Sequence, residues 1–271
     1  MAKKKPTKLV AFALSFVMGV RAYGWIVIAI AVGVLAISAI SAREASHVKT
    51  VAPVILPLED GEALVTEQEL LDRLAASFTK PMAELSLSDI DVERVETVLE
   101  GQAFVADADA YIDDDLQLNI TVTQRVPLIR IIAESGQNYY LDESGIRMPL
   151  SESYTARVPV ATGNIVLWSD DFMTHEDHQL RHLVELTQYL RTDDFLSALV
   201  EQIYVNTKGE LVLAPKVGDQ VIYLGRYHET KTLERLRRLK IFYREGLPYE
   251  GWRKYKSFDL RFSDQVIARK R

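Results

Sequence analysis

Hydrophobic and polar positions fall into three regimes along the 271-residue chain. The first is an unbroken apolar run from Trp25 to Ala42, with no charge and nothing more polar than serine. A helix rises ~1.5 Å per residue, so this run, with Tyr23 and Gly24 added, matches the ~30 Å hydrocarbon core of a bilayer. It predicts a transmembrane helix over 23–42. A buried core helix would keep a polar stripe, and this run has none. Lys3, Lys4, Lys5, Lys8 and Arg21 precede the run, whereas Arg43 and Glu44 cancel just after it. Positive residues stay in the cytoplasm, which makes 1–22 a cytoplasmic segment and puts the chain from Arg43 onward on the other side. Ile40-Ser41-Ala42 resembles a signal-peptide cleavage site. The apolar core of such a peptide is only ~7–15 residues, which favours a retained signal anchor. The shorter apolar piece from Leu9 to Val20 either lies along the inner surface or extends the same helix.

The second regime, 43–126, mixes helical and alternating periods. Val48, Val51, Val54 and Ile55 predict a strand interrupted by Pro53, which suits a sheet edge. Thr66, with Glu69 three residues on, forms a capping box for a helix whose apolar face is Leu70, Leu71, Leu74 and Phe78; Pro81 ends it. Ser88 or Asp89 caps a second helix with Ile90, Val95, Val98 and Leu99 inward and Gly101 at its end. Phe104, Ala106, Ala108, Ala110 and Ile112 then alternate with Val105, Asp107, Asp109 and Tyr111, and Leu116 to Val122 returns after an aspartate turn. The expected module is βααββ.

The third regime, 127–271, is mostly β, with flanking helices. Strands are expected over 128–133, 138–141, 146–150, 157–163, 201–205, 210–214 and 220–224. Thr174 is read as the cap of a helix reaching Arg191 with a Leu180, Leu183, Thr187 and Leu190 stripe. A last helix, His228 to Arg244, carries Lys231, Arg235, Arg237, Arg238 and Lys240, read as a solvated face. Phe258, Leu260 and Phe262 alternate with Ser257, Asp259 and Arg261 in one long final strand, expected at an edge with backbone groups open to another strand. The fold class is α+β: a single transmembrane helix, a small βααββ module and a mainly antiparallel β domain.

Charge and chemistry narrow the function. The net charge is −6 despite the basic N-terminus, which argues against nucleic acid. Cysteine is absent, so disulfides and thiolate metal sites are excluded. Asp107, Asp109, Asp113, Asp114 and Asp115 lack the glycine and glutamate spacing of a calcium loop. His175, His178 and His182 lie at zinc-compatible helical spacing, but a polar helix face explains them equally and is preferred; no metal is assigned. There is no nucleophile elbow, His-Glu-x-x-His or phosphate loop. No catalytic residue, cofactor or small-molecule substrate is assigned.

Gln124-Arg125-Val126-Pro127, Tyr140-Leu141-Asp142-Glu143-Ser144-Gly145, Leu224-Gly225-Arg226 and Phe258-Asp259-Leu260-Arg261-Phe262 occur in the order of the bacterial FtsQ/DivIB cell-division family, which the chain resembles over nearly its whole length. Phe258 and Phe262 stand where that family more often has Val and Tyr. The resemblance implies a non-enzymatic divisome scaffold anchored in the inner membrane through Tyr23–Ala42. It implies a POTRA domain over 43–126 and an FtsQ-type β domain over 127–271, the latter taking the bitopic protein FtsB, with FtsL, as an added strand. Carried over by motif, the partner-binding residues are Arg226, Arg261, Phe262, Asp264 and Val266, with Phe258 and Leu260 on the same strand. An outer-membrane assembly or secretion component is the alternative for a POTRA protein, although the strands are too few for a barrel. A hydrolase with a scattered active site is a third reading.

Overall fold

The computed structural model describes residues 25–26, 28–41, 43, 46–59, 61–78, 85–86, 89–151, 154–251 and 253–271. Trp25, Ile26 and residues 28–41 are helical, and Trp25, Ile28, Leu35 and Ile37 are 66–69% exposed. Among the described residues no helix is long and apolar enough to cross a membrane. Tyr23, Gly24, Val27 and Ala42 of the expected span lie outside the described residues, as do 1–22.

The first module is βααββ. Strand β1 (Thr50–Leu56) pairs in parallel with β3 (Gln117–Gln124), which pairs antiparallel with β2 (Val105–Ile112), giving the order β1-β3-β2. Helix α1 (Glu67–Ser77) starts at the expected capping box: Thr66 Oγ1 accepts from Glu69 N, and Glu69 Oε2 from Thr66 N at 2.6 Å. Such a cap is worth about 1 kcal/mol. Helix α2 (Val92–Glu100) is capped by Asp91, not by Asp89, because Asp91 Oδ1 is the oxygen that accepts from Arg94 N; Ser88 and Pro81 lie outside the described residues. Leu70, Leu74, Val95, Leu99, Leu118, Ile120 and Val122 fill the core between helices and sheet. Each such burial contributes about 1.5–3 kcal/mol. In β2 the register shifts between Val105 and Asp107. The extra residue turns Val105 into the core and leaves Ala106 exposed, which strict alternation had reversed.

The second module is one nine-stranded sheet in the order β12-β11-β10-β9-β8-β7-β4-β5-β6. Its strands are β4 (Ile129–Ala133), β5 (Asn138–Leu141), β6 (Arg147–Met148), β7 (Val160–Gly163), β8 (Val200–Val205), β9 (Leu211–Pro215), β10 (Val221–Gly225), β11 (Tyr255–Asp259) and β12 (Ile267–Lys270). It is antiparallel-rich but mixed: β4–β7, β7–β8 and β10–β11 run parallel. Parallel neighbours need crossovers. Helices α3 (Gln179–Thr192) and α4 (Asp194–Leu199) lie between β7 and β8; α5 (Glu229–Ile241), a π turn (Phe242–Gly246) and α6 (Leu247–Glu250) lie between β10 and β11. Leu183, Leu190, Leu196, Leu236 and Leu239 from these helices share one core with Ile131, Ile203, Leu213, Ile222 and Phe258 from the sheet.

The two modules are hydrogen-bonded together through Arg125 and Ser151. Buried Gln124 spans the first module's loops: its Nε2 donates to Leu56 O at 2.8 Å and its Oε1 accepts from Leu64 N at 2.7 Å. Ser151 Oγ of the second module donates to Leu64 O at 2.7 Å. Arg125 Nη1 meets Asp142 Oδ2 at 2.9 Å, and Nη2 meets Val105 O at 2.9 Å. The second oxygen of Asp142 accepts from Ser144 N and Ile146 N, shaping the turn it belongs to. In that turn Gly145 has φ +80°, and a Cβ there would lie 2.5 Å from Met173 Cγ and 2.7 Å from Phe172 Cζ, so only glycine fits. Leu64, Tyr140 and Met148 form a small apolar core beside these bonds.

Candidate functional site

The long final strand expected from Lys256 to Ala268 is two strands. β11 lies inside the sheet, parallel to β10 and antiparallel to β12, so Ser257 and Asp259 are buried along with Phe258. Leu260 leaves the strand while its N–H still donates to Tyr223 O at 2.9 Å. Arg261 to Gln265 form the turn, where Asp264 takes a left-handed φ of 57°. The polar run Ser263-Asp264-Gln265 ahead of Val266-Ile267 was the sequence signal for this turn.

Asp259 organises the turn. Arg261 donates to it from the backbone at 3.1 Å and through a fork, Nε–Oδ1 2.9 Å and Nη2–Oδ2 2.8 Å. These bonds to Arg261 hold the Asp259 carboxyl below the usual carboxylate range. Arg261 also reaches Glu210 at 3.5 Å and lies 5.4 Å over the Tyr223 ring. Its stem passes over Gly225, whose φ is +88°; a Cβ there would sit 2.9 Å from Arg261 Cγ. The Leu-Gly and Asp-Leu-Arg motifs are therefore one construction.

Helix α5 braces it. Arg235 Nη1 donates to Leu224 O at 3.0 Å and Arg226 O at 3.1 Å, while Arg238 Nη1 donates to Phe262 O at 2.9 Å and Nη2 to Leu260 O at 3.3 Å. The basic face of this helix is thus only partly solvated, contrary to the expectation from charge alone. Lys231 and Arg237 are exposed, whereas Arg235 and Arg238 are half-buried staples.

Of the residues expected to bind a partner, Arg226, Arg261, Phe262 and Asp264 come together at the surface turns beside β12, and Phe262 is 47% exposed. Val266 is half-buried against the core. Phe258 and Leu260 are fully buried and belong to the core, Phe258 within 5.1 Å of the Phe242 ring and 5.7 Å of the Tyr243 ring.

β12 is the sheet's terminal strand. Its register pairs Ile267 with Asp259 and Arg269 with Ser257, and Arg271 N donates to Lys254 O. Alternation then turns the backbone N–H and C=O groups of Ala268 and Lys270 away from the sheet. The other sheet ends are less open. β6 has two residues, β1 contains Pro53, and on β2 the outward Ala110 N–H is taken by Glu96 Oε1 at 2.8 Å. Arg226, Lys256, Arg269 and Lys270, all exposed around β12, make no ion pair among the described residues.

The three histidines do not share one helix. α3 starts at Gln179, and Phe172–Thr174 is a separate 3-10 turn, because His178 Nδ1 and not Thr174 supplies the cap, accepting from Leu180 N at 3.2 Å. His175 pairs with Asp171 at 3.1 Å, and His182 stacks on Tyr227 at 4.6 Å. Among the described residues no group of three or more metal-ligating side chains is placed to hold an ion.

Fold and site define a class: an α+β protein in which a βααββ module is bolted to a large sheet ending in a braced, open-edged strand. The family model for "FtsQ/DivIB, C-terminal related" proteins matches residues 126–269, and the chain belongs to that family. A "Cell division protein FtsQ" of Rhodothermus marinus is 29% identical over 157 residues, 56% of this chain. The match spans 55% of that relative's length.

Proposed function

We propose that this protein is a non-enzymatic scaffold of cell division, holding a bitopic partner of the FtsB kind, together with FtsL, as a strand added to β12. The observation that carries the reading is the outward backbone of Ala268 and Lys270 beside the braced turn. Main-chain pairing would supply affinity, and side chains around the edge the choice of partner. Exposed positive charge at Arg226, Lys256, Arg269 and Lys270, on a chain of net charge −6, fits an acidic segment and disfavours pairing between two copies. Family membership and the relative's name support the cell-division role.

In the same reading, 43–126 is a POTRA domain concerned with recruitment, 127–271 the partner-binding domain, and 23–42 the inner-membrane anchor with 1–22 cytoplasmic. Tethering both partners to one membrane raises their effective concentration, so modest strand-pairing affinity suffices. Cleavage at Ala42 would be incompatible with this role. A photoreactive side chain placed in turn at Phe262, Ile267, Arg269 and Lys270 in cells should give adducts with a small bitopic protein. One placed at Val217, 84% exposed in the β9–β10 turn, should give none. Adducts at Val217 without any along β12 would sink the reading.

A further inference from the structure

The three-stranded sheet of the first module has one bare face. Helices α1 and α2 cover the side that carries Ala108, Ala110, Leu118, Ile120 and Val122. On the other side the register sets two rows across β1, β3 and β2: Val54, Thr121 and Asp109 in one, Leu56, Thr123 and Asp107 in the next. Val54 and Leu56 are 56% and 44% exposed, and Tyr111, further along β2, is 55% exposed, so this side is uncovered. The face is divided lengthwise, with aliphatic side chains along β1, hydroxyls along β3 and carboxylates along β2.

Its charge has one sign. Asp107 and Asp109 are exposed and make no ion pair among the described residues. The β2–β3 turn adds Asp113, Asp114 and Asp115, and Asn119 Nδ2 of the bare face donates to Asp113 Oδ2 at 3.0 Å. The cations beside these five carboxylates are Arg43, tied to Asp114 at 2.7 Å, and Lys49, close to Asp113. Residues 43–126 carry 18 Asp and Glu against 6 Lys and Arg, whereas 127–271 carry 20 against 21, so the acidity of the chain belongs to the first module. We infer that the bare face docks a basic amphipathic helix of another protein, its apolar stripe on Val54 and Leu56 and its lysines or arginines on Asp107 and Asp109. Strands lie ~4.8 Å apart, so β1 and β2 are ~10 Å apart, the breadth of one helix. Asp107 and Asp109 lie ~6.8 Å apart along β2, close to the ~6 Å rise between helix positions i and i+4. A second copy of this face, or an anionic lipid surface, would set negative charge against negative charge. The inference deepens the recruiting role read for 43–126 and does not depend on the β12 contact.

The probe is an amidated helical peptide of alanine, leucine and lysine, with lysines spaced i, i+4 on one side and leucines on the other. Its counterpart has glutamate in place of every lysine. Methyl NMR of the full chain in phosphatidylcholine nanodiscs should show saturable shifts at Val54, Leu56 and Thr121 with the lysine peptide and none with the glutamate peptide. The double variant Asp107→Asn, Asp109→Asn should weaken binding about tenfold, the sum of two exposed ion pairs. Val54→Ser with Leu56→Ser, at exposed positions, should also weaken it. Glu93→Gln with Glu100→Gln makes the same charge change at exposed positions on helix α2 and should leave binding unaltered. Unfolding melts confirm that each variant is folded. No saturable shift at Val54 and Leu56 would overturn the proposal. So would an equal response to both peptides, which would mark a plain apolar face, and so would an equal loss from the two carboxylate pairs, which would mark bulk charge attraction. Recruitment in cells that survives Asp107→Asn, Asp109→Asn, in a chain that no longer binds the peptide, would leave the recruiting role standing and overturn this face as its surface.

Discussion

The junction at Arg125 and the turn at Arg261 are built alike and end differently. Each places an arginine on a nearly buried aspartate, Asp142 in one and Asp259 in the other, and each sets a left-handed glycine against side chains that exclude a Cβ. At the junction every element is enclosed: Arg125 and Asp142 side chains are 16% and 8% exposed, and their partners all lie within the chain. At the turn the aspartate is enclosed, but the arginine is 39% exposed and the next strand leaves half of its backbone unpaired by the sheet. The same chemical device serves as a bolt in one place and as a bracket for an open edge in the other. Signature motifs in this chain are thus mostly structural, and the exposed sheet edge lies beside them.

The largest effect should come from removing the bolt. Arg125→Ala leaves Asp142 buried without its cation, which costs about 3–5 kcal/mol. Denaturant unfolding should show that loss, and adding Asp142→Asn should recover part of it in a double-mutant cycle. A loss below about 1 kcal/mol would mean that the apolar contacts of Leu64, Tyr140 and Met148 alone join the modules. Gly225→Val should cost about 1–3 kcal/mol, since it strains a left-handed backbone and pushes on Arg261. Unlike the first change it should also disturb β12, read as faster amide exchange at Arg269 and Ile267. Slower or unaltered exchange there would uncouple the bracket from the edge.

A smaller effect, read by pH, tests Asp259 in the turn. The folded Asp259 carboxyl titrates below its ordinary value of 3.8, because of Arg261. Its contribution is fully present above that unfolded value and is lost as pH falls through the lower folded one. Unfolding free energy measured from pH 6 down to pH 2 should therefore fall more steeply at the acid end for the parent chain than for Asp259→Asn. Parallel curves would remove Asp259 as the organiser of the turn.

Local rules carried much of the fold. The Thr66–Glu69 box, the β2–β3 hairpin and strands such as 138–141 follow from capping and alternation within a few residues. What escaped depends on distant partners. The parallel pairing of β7 with β8 is set by how helices cross over and that of β4 with β7 by a return through β5 and β6, and His178 displaces Thr174 as a cap through a contact that its sequence position does not announce. At the site, Phe258, Leu260 and Phe262 alternate like one half-buried strand, yet β10 and β12 flank β11 on both sides and bury Ser257 and Asp259 as well. The residues of the bracket were legible as motifs; their inward roles were not, because a motif does not say which way it points.

The central claim is that β12 offers its outer backbone to a partner strand. Ala268→Pro tests it most directly, since it deletes an N–H that faces away from the sheet and removes no bond to β11. Binding of the full chain to the purified FtsB-like partner, followed by pull-down and calorimetry, should be abolished while the unfolding midpoint stays close to that of the parent. Undiminished partner binding by the folded Ala268→Pro chain would contradict the account.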